Sequence, residues 1–229
     1  ANRPVEITGL LDSWPARSWT LENLRERWGH FAIEYTEHVE RGPVTESVKH
    51  HSTFGNFLTL IEQPQNRGRF YWTAYNQVSP EGLIRELAQE VQNPPGLSLN
   101  QTEGNIYYWI GPAGTRSGLH FDPYNVLFAQ VKGSKRFYLL PPSAIHRLYL
   151  FNDFFSPVDM EFPDVQRYPK SAGLKPTIVE VHEGEVLLIP VGWFHQVTSL
   201  SFSASISLTN LDVPGGNAYS PPSAYQGIL

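Results

Sequence analysis

Gly114-Thr-Arg-Ser-Gly-Leu-His-Phe-Asp-Pro-Tyr-Asn-Val-Leu-Phe-Ala-Gln-Val-Lys-Gly-Ser-Lys-Arg136 is the stretch on which the reading of the chain turns. It holds His120 and Asp122 two residues apart in a strand-like pattern. On a β-strand, residues i and i+2 share a face, so an imidazole and a carboxylate are presented side by side. A second histidine from a neighbouring strand would complete a 2-His-1-carboxylate site with open coordination positions. Gly184-Glu-Val-Leu-Leu-Ile-Pro-Val-Gly-Trp-Phe-His195 offers one, at the start of a strand that follows a buried strand and a Pro/Gly turn. Taken singly, an HxD fits a chance pair and His195 fits a packed core histidine. The residues alone leave those alternatives open.

Working outward, the second half reads as all-β. Residues 105–110, 126–131, 136–140, 177–181, 186–190, 195–200 and 203–208 are expected strands. Lys132-Gly-Ser-Lys135 is a hairpin-like connection, and Pro141-Pro142 stops the strand after it. Residues 143–176 lack periodicity and are expected to form a long loop, of the kind that often serves as a functional lid. The first half is expected to be helix-rich: a helix over 20–28 capped by Thr20, one over 53–61, and one over 79–91 opened by Ser79-Pro80. Short strands are expected at 3–10, 31–39 and 69–75, with a polar stretch containing His50-His51 between the second and the helix at 53. Many short strands preceded by helices point to a mostly β fold, an antiparallel jelly roll with N-terminal α-helices packed around it. The expected organisation is one domain over 1–229: a helix-rich part (1–104), a jelly-roll core (105–210) and a Pro/Gly/Ser-rich tail (211–229).

Composition sets outer bounds. The 229 residues suit one generous domain, with 41% hydrophobic and 13% aromatic residues, enough for a real core. A net charge of −5 offers no sequence-wide basic face and favours a protein, peptide or amino-acid-derived partner over nucleic acid. With no cysteine there is no disulfide, thiolate ligand or cysteine nucleophile. No apolar run is long enough to span a membrane, and no signal segment is visible. The expectation is a cytoplasmic protein, trimmed at an N-terminus that begins with Ala1 rather than Met. The tail shows no helical dimerisation pair, which predicts a monomer or weak dimer.

Four motifs in order resemble a known family: HxD at His120–Asp122, Ala129-Gln-Val-Lys-Gly-Ser-Lys-Arg136, Pro141-Pro142, and Ile189-Pro-Val-Gly-Trp-Phe-His195. These look like the JmjC/cupin-like oxygenases, and the likeness extends more weakly over residues 4–91. The stretch is similar to the asparaginyl/arginyl hydroxylase branch of that family. It implies a double-stranded β-helix and an Fe(II)- and 2-oxoglutarate-dependent dioxygenase, which uses O2 and releases succinate and CO2. It implies His120, Asp122 and His195 as the metal ligands and catalytic centre. Lys135 falls where the family pairs a lysine with the far carboxylate of 2-oxoglutarate, and a buried dicarboxylate does need a fixed cation there. Ser117 and Tyr71 fall where further hydrogen-bond donors to 2-oxoglutarate stand, and Asn210 where an asparagine lies near it. Without the family, Lys135 reads as a hairpin lysine, Tyr71 as a packed strand residue and Asn210 as a strand end. One departure is visible: many relatives carry Asn six residues after the HxD histidine, where this chain has Val126 and the asparagine is Asn125.

Tyr107, Trp109, Arg116, Tyr124, Asn125 and Trp193 are the candidates for lining a substrate pocket, although aromatics here also suit the core and Arg116 also suits solvent. His50, His51, His146 and His182 read as surface residues. The expected product is a hydroxylated C–H carbon. N-demethylation is the same chemistry on another substrate, and a non-catalytic metal-binding cupin holding a small ligand is the alternative of a different class.

Overall fold

Apolar residues on both faces of one strand explain how the layers stack. The computed structural model describes residues 2–41, 44–73, 81–93, 106–151, 153–209 and 211. Strand β7 (Val126–Lys132) is buried along nearly its whole length. Val126 and Phe128 point to one side of it, and Leu127, Ala129 and Val131 to the other. It runs in a five-stranded antiparallel sheet of order β1-β10-β7-β12-β5. Its companions are β1 (Val5–Ile7), β5 (Ile106–Gly111), β10 (Val186–Ile189) and β12 (Ser203–Leu208). A four-stranded sheet of order β6-β11-β8-β9 faces it, built from β6 (Arg116–His120), β8 (Lys135–Leu140), β9 (Thr177–Val181) and β11 (Phe194–Ser199). The fold is the expected mostly β jelly roll.

Three cores fill the layers. Between the sheets lie Val126, Phe128, Phe137, Leu139, Val181, Leu187, Ile189 and Val197. Behind the five-stranded sheet, its outward residues meet Trp14, Trp19, Trp28, Phe54, Phe57 and Leu83 of the N-terminal half. There α1 (Leu21–Trp28) starts on a capping box of Thr20 and Asn23, and α2 (Phe54–Ile61) starts on Thr53. Helix α3 (Glu81–Ala88) buries Leu83 and Leu87, while Ser79 and Pro80 fall outside the described residues. The third core lies outside the four-stranded sheet, where residues of 144–158 cover Leu119, Leu140 and Phe194.

Four expectations need correction. The polar stretch before the second helix is a strand, β3 (Val44–Thr53), paired along its whole length with β2 (Ala32–Arg41). Its residues are polar on both faces, so no alternation marks it. The strand expected over 69–75 shrinks to β4 (Phe70–Tyr71), which joins β2, with Trp72 bridging Ile110 and residues 74–75 outside the description. The first strand is part of the jelly roll, because β1 pairs with β10. Residues 143–176 are no free lid: Phe155 bridges His120, and Ser156 N–H donates to the Leu119 carbonyl at 2.8 Å, so the segment extends the edge of β6.

The β7–β8 hairpin needs glycine at its turn. Gly133 has φ +72°, and a Cβ there would run into the Phe202 carbonyl oxygen. Gly133→Ala is expected to cost more than about 1 kcal/mol of unfolding free energy; an unchanged urea midpoint would refute this.

Candidate metal centre

The centre is built where β6 and β11 pair. His120, the last residue of β6, stands directly opposite His195 of β11, with ring centroids 4.2 Å apart. Asp122 does not lie on the strand, contrary to the expectation from HxD spacing, but in the loop just past its end. That loop is tied to the turn before β11: Gly192 N–H donates to the Asp122 carbonyl at 3.2 Å, and Val191 N–H to Asn125 Oδ1 at 3.0 Å. Asp122 Oδ2 thereby comes within 3.5 Å of His195 Nε2. One ligand atom from each of the three residues can be chosen so that all lie within 4.8 Å of one another.

The tautomers follow from the backbone. His120 Nδ1 lies 2.7 Å from the Gly118 carbonyl and His195 Nδ1 lies 3.1 Å from the Trp193 carbonyl. A carbonyl only accepts, so both Nδ1 atoms carry the proton and both Nε2 lone pairs are left for a ligand. Burial and the neighbouring His120 push His195 down to about 4, against the opposing pull of Asp122 and the Trp193 carbonyl, so its ring is neutral at ordinary pH. Two imidazole Nε2 atoms and one carboxylate suit a divalent first-row ion such as Fe(II).

Deeper between the sheets sits Lys135, 1% exposed. Its Nζ donates to the Tyr71 hydroxyl at 2.9 Å and lies over the rings of Tyr71 and Phe128 at 5.3 and 5.5 Å. Tyr71 is also hydrogen-bonded to Ser117. No carboxylate among the described residues pairs with Lys135. A buried ammonium with only hydroxyl and ring partners is poorly compensated, and burial lowers its pKa to about 7. The site is therefore short of one anionic group, which a dicarboxylate would supply.

The other candidates divide. Trp109 is half-buried beside Tyr71, at 6.1 Å between centroids, and donates to Ser207 Oγ at 2.9 Å. Trp193 donates to the Asn2 carbonyl at 3.2 Å and lines a cleft of about 190 Å³ between the sheets with Arg3, Glu6 and Val179. Tyr124 is 38% exposed on the loop between β6 and β7, and Tyr107 is half-buried on β5 opposite Ser207. Arg116 faces away from the centre and its Nη2 donates to both carboxylate oxygens of Asp159, at 2.9 and 2.7 Å. Asn125 braces the turn before β11. Asn210 lies outside the described residues. Sequence reasoning missed Phe155, whose ring stacks on His120 at 5.6 Å and is 38% exposed. The aromatic run around it was visible, but nothing in the sequence says that the segment returns to β6. A larger cavity of about 520 Å³ opens at Glu34, His51 and Asn56 and contains none of these groups.

The family model described as a cupin-like domain matches residues 1–210. The chain belongs to the cupin-like family. Among its relatives, a Xenopus tropicalis protein named lysine-specific demethylase 8 is 30% identical over 90% of this chain and 47% of its own length. The Arabidopsis thaliana lysine-specific demethylase JMJ30 is 31% identical over 89% of this chain and 49% of its own. The Gallus gallus tRNA wybutosine-synthesizing protein 5 is 32% identical over 53% of this chain and 38% of its own. The cupin-like chain thus spans about half the length of the first two. No helix among its described residues is long and apolar enough to cross a membrane.

The buried lysine makes stability depend on pH in a definite direction. Its folded pKa, about 7, lies below the ordinary 10.5, so between these values the unfolded chain holds the extra proton. Stability of the ligand-free protein from this group therefore rises with pH across that window and is lowest below it. Lys135→Met is expected to flatten the rise; a thermal-melt series with the same pH slope in both proteins would contradict it.

Proposed function

We propose that this protein is an Fe(II)- and 2-oxoglutarate-dependent oxygenase that oxidises an unactivated C–H bond of a protein, peptide or amino-acid-derived substrate. The observation that carries the reading is the pairing of a His120–Asp122–His195 cluster with a fully buried Lys135 that has no carboxylate partner among the described residues, between the same two sheets. A ligand-binding cupin needs no such pair.

In this reading His120 and His195 give their Nε2 atoms and Asp122 its carboxylate to Fe(II). Lys135, Tyr71 and Ser117 take the far carboxylate of 2-oxoglutarate. The charges of a divalent ion, one aspartate, a dianion and one ammonium then cancel, which is what a low-dielectric interior requires. Bound together, iron, 2-oxoglutarate and O2 supply oxidative decarboxylation to succinate and CO2 coupled to oxygen insertion into a C–H bond. The chain contributes position and dryness. The Nδ1–carbonyl hydrogen bonds fix both imidazole planes, and the apolar residues between the sheets exclude water. Phe155 closes one side of His120.

A stably hydroxylated product is the first reading. The two relatives named as lysine-specific demethylases support a second, in which the oxidised carbon is an N-methyl group that leaves as formaldehyde. Intact-mass analysis after incubation with peptide and amino-acid pools separates them: addition of one oxygen for the first, loss of a methylene for the second.

Two tests address the common core. Anaerobic addition of Fe(II) and 2-oxoglutarate is expected to give a weak visible charge-transfer band, and metal binding without a band would sink the oxygenase reading. His120→Ala and Asp122→Ala are each expected to abolish succinate formation. Lys135→Ala, which would leave a buried carboxylate unpaired, is expected to raise the 2-oxoglutarate KM by roughly 100-fold; a KM within threefold of the parent would remove Lys135 from this role.

A further inference from the structure

Ser117 and His120 are three residues apart on one strand, yet both face the space between the sheets. Ser117 stands opposite Val197, a residue of the inter-sheet core, and His120 stands opposite His195. Strict alternation would put them on opposite faces. The register resolves the conflict: between those two pairs, Gly118 and Leu119 of β6 stand against the single residue Gln196 of β11. This is a bulge of one extra residue, and it re-phases the strand. The Gly118 carbonyl inside it also accepts the Nδ1–H of His120.

The outer face of the sheet shows what holds the bulge. Gln196 points away from the centre, and its Nε2 donates to Asp159 Oδ1 at 2.9 Å while its Oε1 accepts from Met160 N–H at 2.8 Å. Arg116, the residue before Ser117, donates to both oxygens of the same carboxylate. Asp159 Oδ1 also accepts from the Glu161 and Phe162 N–H groups at 2.8 and 3.0 Å, which pins the carboxylate to its own turn. Thr198 Oγ1 donates to Glu161 Oε2 at 3.0 Å, one step further along β11. Asp159 on the 143–176 segment thus grips β6 and β11 at the bulge, and Glu161 beside it pairs with Arg116 at 3.3 Å as well as with Thr198. Burial alone would raise the Asp159 pKa, but the Gln196 amide, the two N–H groups and Arg116 outweigh it and keep the group ionised.

We propose that Asp159 is a positioning residue of the metal centre: by clamping Gln196 and Arg116 from outside, it fixes the β6 bulge that turns both Ser117 and His120 inward. The proposal rests on the reading of His120 as a metal ligand and Ser117 as a 2-oxoglutarate contact. It gives the 143–176 segment a second task besides placing Phe155.

The test is anaerobic calorimetry of the full chain, titrated with Mn(II) and then with 2-oxoglutarate. Asp159→Ala is expected to weaken both affinities by roughly 10-fold or more. Asp159→Asn keeps the Oδ1 acceptor and is expected to recover part of the loss. Val158→Ala, a buried neighbour that touches neither Gln196 nor Arg116 by hydrogen bond, is the control. It is expected to lower Tm while leaving both affinities within about twofold. If Asp159→Ala does not fold, Gln196→Leu replaces it, with the same loss expected. Parental affinities in the Asp159 or Gln196 variants, or an equal loss in Val158→Ala, would overturn the positioning role and leave the oxygenase reading intact. A parent chain that binds neither Mn(II) nor 2-oxoglutarate would overturn both.

Discussion

The antiparallel pairing of β6 with β11 is the constraint on which the rest depends. It makes neighbours of His120 and His195, which lie far apart in sequence, and no local interaction could do so. Everything around the pair maintains that register. The four-stranded sheet holds β11 between β6 and β8. The loop carrying Asp122 is stitched to the turn before β11 by two backbone-directed hydrogen bonds. The 143–176 segment covers the free edge of β6, which would otherwise be exposed.

What could be read from the sequence follows from how local the cause is. Periodicity and turn residues marked the jelly-roll strands, because alternation is a property of neighbours along the chain. His120, His195 and Lys135 could be singled out because their chemistry is distinctive and the motifs around them resemble a family. The spacing argument for Asp122 used the wrong cause. The strand ends at His120, and the carboxylate reaches the histidines because Gly192 and Val191 hold its loop. Strand β3 stayed hidden because its pairing with β2 imposes no apolar face. Arg116 was misjudged as a pocket residue for a related reason: its partner, Asp159, arrives from a segment with no periodic signal. The role expected of Asn210 falls on a residue outside the description.

The interior of the jelly roll is a compromise between stability and chemistry. Phe128, Phe137, Leu139 and Val197 make it an ordinary apolar core. Lys135 violates that core, for an ammonium placed there without a carboxylate is destabilising in the free protein. Tyr71 and the two ring faces offset only part of the cost. Such a local conflict is expected where function overrides packing. An apolar residue at 135 would improve the core and remove the cation proposed to meet a dianion there.

The same logic keeps the proposed reacting end and the proposed anchoring end in fixed relation. Lys135 and His195 lie on adjacent strands, with Lys135 opposite Ser199 and His195 opposite Leu139, so the β8–β11 ladder sets their spacing. Ser117 and His120 lie on β6, where the bulge sets theirs. A ligand spanning the proposed metal and Lys135 would therefore be measured twice, once by a regular ladder and once by an irregular one. The regular ladder is held by main-chain hydrogen bonds that almost any sequence can supply. The irregular one has a missing pairing to make up, and the side chains of Gln196, Arg116 and Asp159 supply it. That asymmetry would place the specific, substitution-sensitive support of the proposed centre on the outer face of the sheet.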